Sequence, residues 1–304
     1  MKNYRNLNSI TKEIINLNPL QKKKILSQFK GYNKKIFKDF EKIAEQVILL
    51  SKLNKFSIKK ISKFYNDFCI ETMQEQLYFQ KFKTYRSIKE KKNNLELYNS
   101  SYKMKKYMIA LMLTQIYWHS HVKIFQWYKS QIKKISPKNF LEIGSGHGLL
   151  SKELLNKKNI TGNICDISQQ SLNFSKKIIS NFSNGNNINF KKIDFFDLNP
   201  NEKFDFIIMG EVIEHVEHPL KFLKKVKSLM TNNSKIFIST CANCAQLDHK
   251  YHFKNISQIK SLIYKSRLKI KSELVSPSEN IPKSRWIKDK ISINYCAILT
   301  NEKN

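Results

Sequence analysis

The feature that most constrains this chain is one strand and turn, Asn139-Phe140-Leu141-Glu142-Ile143-Gly144-Ser145-Gly146-His147-Gly148-Leu149-Leu150. Of only seven glycines in 304 residues, three alternate here, directly after an apolar run and directly before a helical pattern carrying Leu150, Leu154 and Leu155. The stretch predicts a strand-to-helix turn whose backbone a ligand can touch, because glycine permits positive φ and puts no Cβ in the way. A dinucleotide fingerprint needs a further glycine at position 149, where this chain has leucine, and the turn follows an acid, Glu142. A pyrophosphate fits that arrangement poorly. A positively charged ligand without phosphate fits an acidic strand end better.

The length suits one α/β domain plus an appended region, and 41% hydrophobic residues are ample for a core. No stretch reaches the ~18 to 20 consecutive apolar residues of a membrane span. The longest candidate, Tyr107 to Trp118, contains Thr114 and Gln115 and reads as a buried helix, so no membrane partner is expected. The lysine- and asparagine-rich start carries no apolar signal segment, and a cytoplasmic protein is expected. The cysteines at 69, 165, 241, 244 and 296 are odd in number and mostly embedded in apolar runs, which argues for reduced thiols. Cys241-Ala-Asn-Cys244 followed by His249 and His252 is the exception to weigh. A zinc finger puts about a dozen residues between the pair and the histidines, so this spacing is too tight for that fold.

A net charge of +31 invites a polyanion partner, yet lysine and arginine are distributed 51 to 4, as solvated surface requires no partner to explain. Residues 1–140 carry 30 basic and 9 acidic side chains, against 25 and 15 afterwards. The basic clusters lack the arginine-aromatic interleaving of RNA readers, so RNA stands as the lesser expectation.

Taken in order, residues 1–35 are polar and lysine-rich, with some fraying expected. Apolar residues at 36, 40, 43, 47 and 50 make a helical stripe, and a second stripe at Ile58, Ile61, Tyr65 and Phe68 opens behind Ser57, a candidate N-cap. Residues 89–101 read as a loop, and Tyr107 to Tyr128 as one long helix. From there strands and helices alternate, the signature of a parallel sheet. Strands are expected at 159–166, 188–194, 204–210, 235–240, 268–274 and 291–299, and helices at 169–180, from Pro219, and at 256–264, with a glycine-asparagine loop at 184–187. The division is a helical N-terminal region, 1–135, and a sheet domain, 136–304.

The turn at 144–148 is similar to motif I of the class I S-adenosylmethionine-dependent methyltransferases, and the resemblance runs from about Phe140 to Leu299. It implies a Rossmann-like α/β fold with a seven-stranded, mostly parallel sheet, and an N-terminal region serving as lid and acceptor pocket. It implies S-adenosylmethionine held by Glu142, Gly144, Ser145, Gly146 and Gly148. Asp166 and Ile167 follow at the second strand's end, where a carboxylate accepts ribose hydroxyls. Asp194 would meet the adenine amino group, and Phe195 would cover the ring.

The densest stretch, Gly210-Glu211-Val212-Ile213-Glu214-His215-Val216-Glu217-His218-Pro219, resembles the Glu-x-x-Glu-His-Val-x-x-Pro motif of this family, including ubiquinone-pathway O-methyltransferases and small-RNA 2′-O-methyltransferases. In one helical turn Glu211, Glu214 and His215 would share a side above the cofactor. His215 is the candidate base, because imidazole titrates near neutrality, with Glu214 beside it. The small-RNA enzymes imply a second scheme, a divalent metal on Glu211, Glu214, His215 and His249. The functions in play are therefore methyl transfer to a small molecule, oxygen favoured; metal-assisted methylation of RNA; and cofactor binding without catalysis. His119 and His121, two apart, do not share a helix face and read as scaffold.

Overall fold

Leu7, Ile10 and Ile14 recur at three- and four-residue spacing, and this stripe makes a helix of the lysine-rich start where fraying was expected. In the computed structural model, which describes residues 4–86, 100–182, 187–246, 248–278, 282–288 and 290–302, α1 (Arg5–Leu17) buries all three completely. Its first turn is capped from a distance: the backbone N–H groups of Asn6 and Leu7 donate to the Glu41 carboxylate at 3.0 and 2.9 Å. Next come α2 (Gln21–Lys30), α3 (Lys34–Leu53), capped by Asn33, and α4 (Ile58–Phe82), whose first turn donates to Ser57 at 3.1 Å as expected. The loops expected at 89–101 and 184–187 lie almost wholly outside the described residues.

The single helix expected from Tyr107 to Tyr128 is two, α5 (Ser101–Tyr117) and α6 (His119–Ile132), broken at Trp118 in an extended conformation (φ −105°, ψ 115°). Trp118 ends one helix, starts the next and stacks on Phe68 of α4 at 5.6 Å. Tertiary packing therefore overrides an uninterrupted local helix signal.

The second region is β1 (Asn139–Ile143), α7 (Leu149–Leu154), β2 (Thr161–Asp166), α8 (Gln169–Phe182), β3 (Ile188–Lys192), β4 (Phe204–Gly210), α9 (Pro219–Ser228), β5 (Met230–Ala242), α10 (Ile256–Lys265), β6 (Leu268–Pro277), α11 (Lys283–Lys288) and β7 (Ile293–Asn301). Seven strands form one sheet in the order β3-β2-β1-β4-β5-β7-β6. The first five run parallel, and β7 is antiparallel to both neighbours. The mostly parallel Rossmann-like sheet with a helical N-terminal region is thus present. β5 is longer than expected because Met230 already pairs with Phe204 across a register shift.

One sheet face packs on α9 and α10 through Phe222, Leu223, Val226, Ile259 and Ile263. The other takes α6, whose Ile124, Tyr128 and Ile132 lie among Phe140, Phe206 and Phe237. The N-terminal helices also share apolar contacts with Leu149, Phe174 and Ile178, so the helical region is seated on α7 and α8, beside the glycine turn.

Candidate functional site

Strand order reverses at β1, between β2 on one side and β4 on the other, and open α/β sheets bind ligands outside the strand ends at such a point. The glycine turn occupies that place. At Gly148, φ is +76° and a Cβ would come 2.8 Å from Cβ of Ser175, so only glycine lets α7 start against α8. At Gly146, φ is +47° and a Cβ would meet nothing within 4 Å, which leaves that side of the backbone open to the cavity.

Glu142, next to last in β1, is only 2% exposed and accepts a hydrogen bond from the Ser151 hydroxyl. Burial pushes its carboxyl up to about 8, opposed by the Ser151 bond and helped by the charge of Asp166. Without a cation beside it, Glu142 thus holds a proton near neutrality. Asp166, at the end of β2, takes the Ser168 N–H at 2.8 Å and the Ser145 hydroxyl at 3.3 Å, and burial raises it as well. Ile167 is exposed at the cavity rim.

Asp194 lies beyond β3 and caps a short 3₁₀ turn by accepting the Phe196 N–H at 2.9 Å. Phe195, expected to cover an aromatic ring of the ligand, borders the cavity but packs its own ring on Phe222, centroids 4.4 Å apart. Phe196, not singled out in the sequence, is 39% exposed at the same wall.

The Glu-x-x-Glu-His stretch does not form the α-helical turn expected of it. Glu211 is left-handed (φ +53°) with its N–H on the Ser239 carbonyl, and only Ile213–His215 make a single 3₁₀ turn. Val216 is extended, and α9 begins only at Pro219. The carboxyls nevertheless converge. Glu214 is fully buried and takes the Thr240 hydroxyl at 2.7 Å on Oε2, while Oε1 has no hydrogen-bond partner among the described residues. Burial raises both acids, and Glu211 pushes Glu214 further, so the pair retains a proton where no cation neutralises it.

His215 donates Nδ1–H to the Asp248 carbonyl at 3.1 Å, which puts the lone pair on Nε2, and the Asp248 carboxylate is 3.5 Å from the same Nδ1. Burial pushes Asp248 up, but the His215 and His249 rings and the Tyr107 hydroxyl, 3.0 Å away, outweigh it and hold the acid below the usual carboxylate range. His249 lies across from His215, ring centroids 4.9 Å apart, and ligand atoms of Glu214, His215 and His249 are all within 4.8 Å of one another. His252 is packed, stacked on Tyr85 at 4.4 Å. Asp248 and Tyr107 were missed in the sequence; only adjacency to His249 marked the first, and nothing marked the second.

These parts share one cavity of about 970 Å³, bordered by Glu142, Gly144 to His147, Asp166, Ile167, Asp194, Glu211, His215 and His249. The helical region supplies most of the other lining, with Leu20, Ile70, Met73, Met108, Leu111 and Trp118 among polar side chains such as Lys24 and Gln115. His119 and His121, read as scaffold, both line it because the break at Trp118 turns them inward. His121 is paired with the Thr114 hydroxyl at 2.8 Å, and burial lowers its imidazole to about 4.

Residues 118–265 match a family model described as a methyltransferase domain. The ubiquinone biosynthesis O-methyltransferase of Haemophilus ducreyi is 28% identical over 122 residues, 38% of this chain and 50% of that protein. Its counterpart in Glaesserella parasuis is 27% identical over 189 residues, 54% of this chain and 79% of that protein. The chain thus spans about half the length of the first of these relatives and more of the second. Among solved structures, a mitomycin 7-O-methyltransferase superposes with a TM-score of 0.50 at 12% identity, covering 68% of this chain and 60% of that one, a likeness of fold. With the motif I turn at the sheet's reversal point and the seven-stranded order, the methyltransferase domain matched over residues 118–265 supports the class I S-adenosylmethionine-dependent methyltransferase family.

Proposed function

We propose that the protein transfers a methyl group from S-adenosylmethionine to an oxygen of a small-molecule acceptor, with His215 as the base. The observation that carries this reading is the single cavity joining the glycine turn to His215 beneath the helical region. When bound, S-adenosylmethionine supplies a methyl group on a sulfonium whose departure needs no acid. The remaining task is to align the acceptor and remove its proton. Gly144 to Gly146 admit the ligand to the backbone, Glu142 sets a carboxylate toward its cationic end, and Asp166 and Asp194 receive its hydroxyl and amino donors. His215 accepts the acceptor's proton at Nε2, and the Asp248 carboxylate beside Nδ1 stabilises the imidazolium that results. Glu214, buried behind the cavity wall, holds the turn through Thr240. The relatives' names as O-methyltransferases support oxygen as the acceptor atom.

One observation favours a second reading. Glu214, whose Oε1 has no hydrogen-bond partner among the described residues, lies with His215 and His249 in a donor set that suits a divalent cation, and Glu211, close to Glu214, would complete it. Such an ion would lower the pKa of an acceptor hydroxyl. The relatives' small-molecule acceptors and the aliphatic and aromatic share of the helical lining favour a small acceptor over RNA. The test is a lysate incubated with methyl-labelled S-adenosylmethionine and the protein. Label is expected in small organic-extractable molecules and absent with His215→Ala; label in RNA ribose would replace this reading with the RNA one, and no label at all would favour cofactor binding without catalysis.

A further inference from the structure

The reaction scheme leaves Cys241 and Cys244 without a role, although both border the cavity. β5 ends at Ala242, and Asn243 takes a left-handed φ of 52°, which folds the chain so that Cys244 comes back over Cys241. The two sulfurs and a ring nitrogen of His249 lie within 4.8 Å of one another. The turn is held from three directions. Asn243 N–H donates to the Phe253 carbonyl at 2.9 Å, and Gln76 of α4 both donates to the Asn243 carbonyl at 3.1 Å and accepts the Ala245 N–H at 3.2 Å. His249 donates Nδ1–H to the Cys244 carbonyl at 2.8 Å, which fixes the tautomer and puts the lone pair on Nε2. A ligand histidine anchored through its other nitrogen is the usual supporting arrangement of a metal site.

We infer that Cys241, Cys244 and His249 form a zinc site in the cavity wall. Two thiolates and one imidazole are the donors a borderline-soft ion selects over magnesium or manganese. On ligation each thiol gives its proton to solvent, and zinc takes the two sulfur lone pairs with no change of oxidation state. Carboxyl oxygens of Glu211 and Glu214 lie within 4.8 Å of the Cys241 sulfur, so the fourth position falls to a carboxylate or to a molecule in the cavity. The short Cys244-to-His249 spacing excludes a finger, whose fold is built by the metal. It does not exclude a site assembled by a sheet end and by Gln76 of a distant helix. His249 is common to this set and to the carboxylate-imidazole set, and the sulfurs tell them apart.

The experiment uses the full chain, purified under reducing conditions, stripped with a chelator and reconstituted with zinc or cobalt(II). Stoichiometric zinc is expected, and cobalt should give a sulfur-to-metal charge-transfer band together with intense tetrahedral bands. Cys244→Ser should cut the charge-transfer band to about half per bound cobalt and weaken zinc binding by about tenfold or more, whereas His215→Ala should retain both. Cys241 is buried at the strand end, so Cys244 carries the test, and calorimetric binding of S-adenosylhomocysteine shows that the variant is folded. That binding also separates this site from the methyl-transfer reading, which fails without it whether or not zinc is bound. Cobalt bound without charge transfer, or reduced protein that takes up no zinc, overturns the inference.

Discussion

His215 and His249 meet edge to face, their ring centroids 4.9 Å apart and their planes at 89°. Each donates Nδ1–H to a backbone carbonyl of the same loop, Asp248 for the first and Cys244 for the second, so both carry the lone pair on Nε2. Both Nε2 lone pairs are therefore set before any ligand arrives. If His215 is the base, His215→Ala should lower the methyl-transfer rate by roughly 10² to 10⁴ and leave affinity for S-adenosylhomocysteine unchanged. Glu214→Gln should be milder in rate, because its carboxyl reaches the acceptor only through the turn. Stripped protein whose rate returns only with magnesium or manganese would transfer the role to an ion on Glu211, Glu214, His215 and His249.

If Glu142 faces the cofactor's cationic end as proposed, cofactor binding depends on pH. In the ligand-free protein its carboxyl titrates at about 8, so near neutrality it is mostly protonated. A cationic ligand beside it favours the ionised form, and binding must then expel the proton. Affinity should rise with pH toward about 8 and level off above it. Calorimetry in two buffers of different ionisation heat should report proton release at neutral pH for the wild type and none for Glu142→Gln. Proton uptake on binding would contradict the assignment.

The turn separates a folding role from a binding role. Gly148→Ala meets both a left-handed backbone and Ser175, and should cost about 1 to 3 kcal/mol of stability. Gly146→Ala meets no atom of the protein and bears only the left-handed backbone cost, about 1 kcal/mol, so it should lose less stability than Gly148→Ala, yet lose on the order of tenfold or more in cofactor affinity. Denaturation and binding curves for the two variants should cross: the first less stable, the second weaker in binding. Equal binding by Gly146→Ala would mean that no ligand approaches that face.

Local signals carried much of the fold. The β1 turn and β4 stand where apolar runs bounded by glycine put them, and Pro219 starts α9 as its fixed φ allows. What was not legible is tertiary in origin. The Glu41 cap on α1 comes from another helix, and the break at Trp118 depends on Phe68, so neither leaves a local trace. At the site, the sequence named Glu211, Glu214 and His215 from their spacing but assumed a helix that the left-handed Glu211 does not form. Asp248 and Tyr107 meet across 141 positions, a separation no periodicity reports.

Phe195 and Phe196 both border the cavity beside Asp194, and only Phe196 is exposed enough to cover a ligand ring. Phe195 is 5% exposed and held between Phe222 and Phe196, so truncating it to alanine opens a core cavity, at a cost of about 3 to 5 kcal/mol. Phe196 is 39% exposed on the cavity wall, with its backbone N–H on Asp194, the residue assigned to the adenine amino group. The Phe196 ring, over which the Lys221 ammonium lies 5.2 Å from the centroid, can stack on a planar base if that lysine swings aside, and such contacts contribute about 0.5 to 1.5 kcal/mol beyond burial. Phe196→Ala should therefore weaken S-adenosylhomocysteine binding by roughly two- to tenfold, a range that follows from those energies. Its unfolding midpoint should stay close to the wild type, and Phe196→Tyr should restore affinity. If Phe196→Ala binds as tightly as the wild type while a conservative Phe195→Leu loses affinity without losing stability, the ring contact belongs to Phe195 after all.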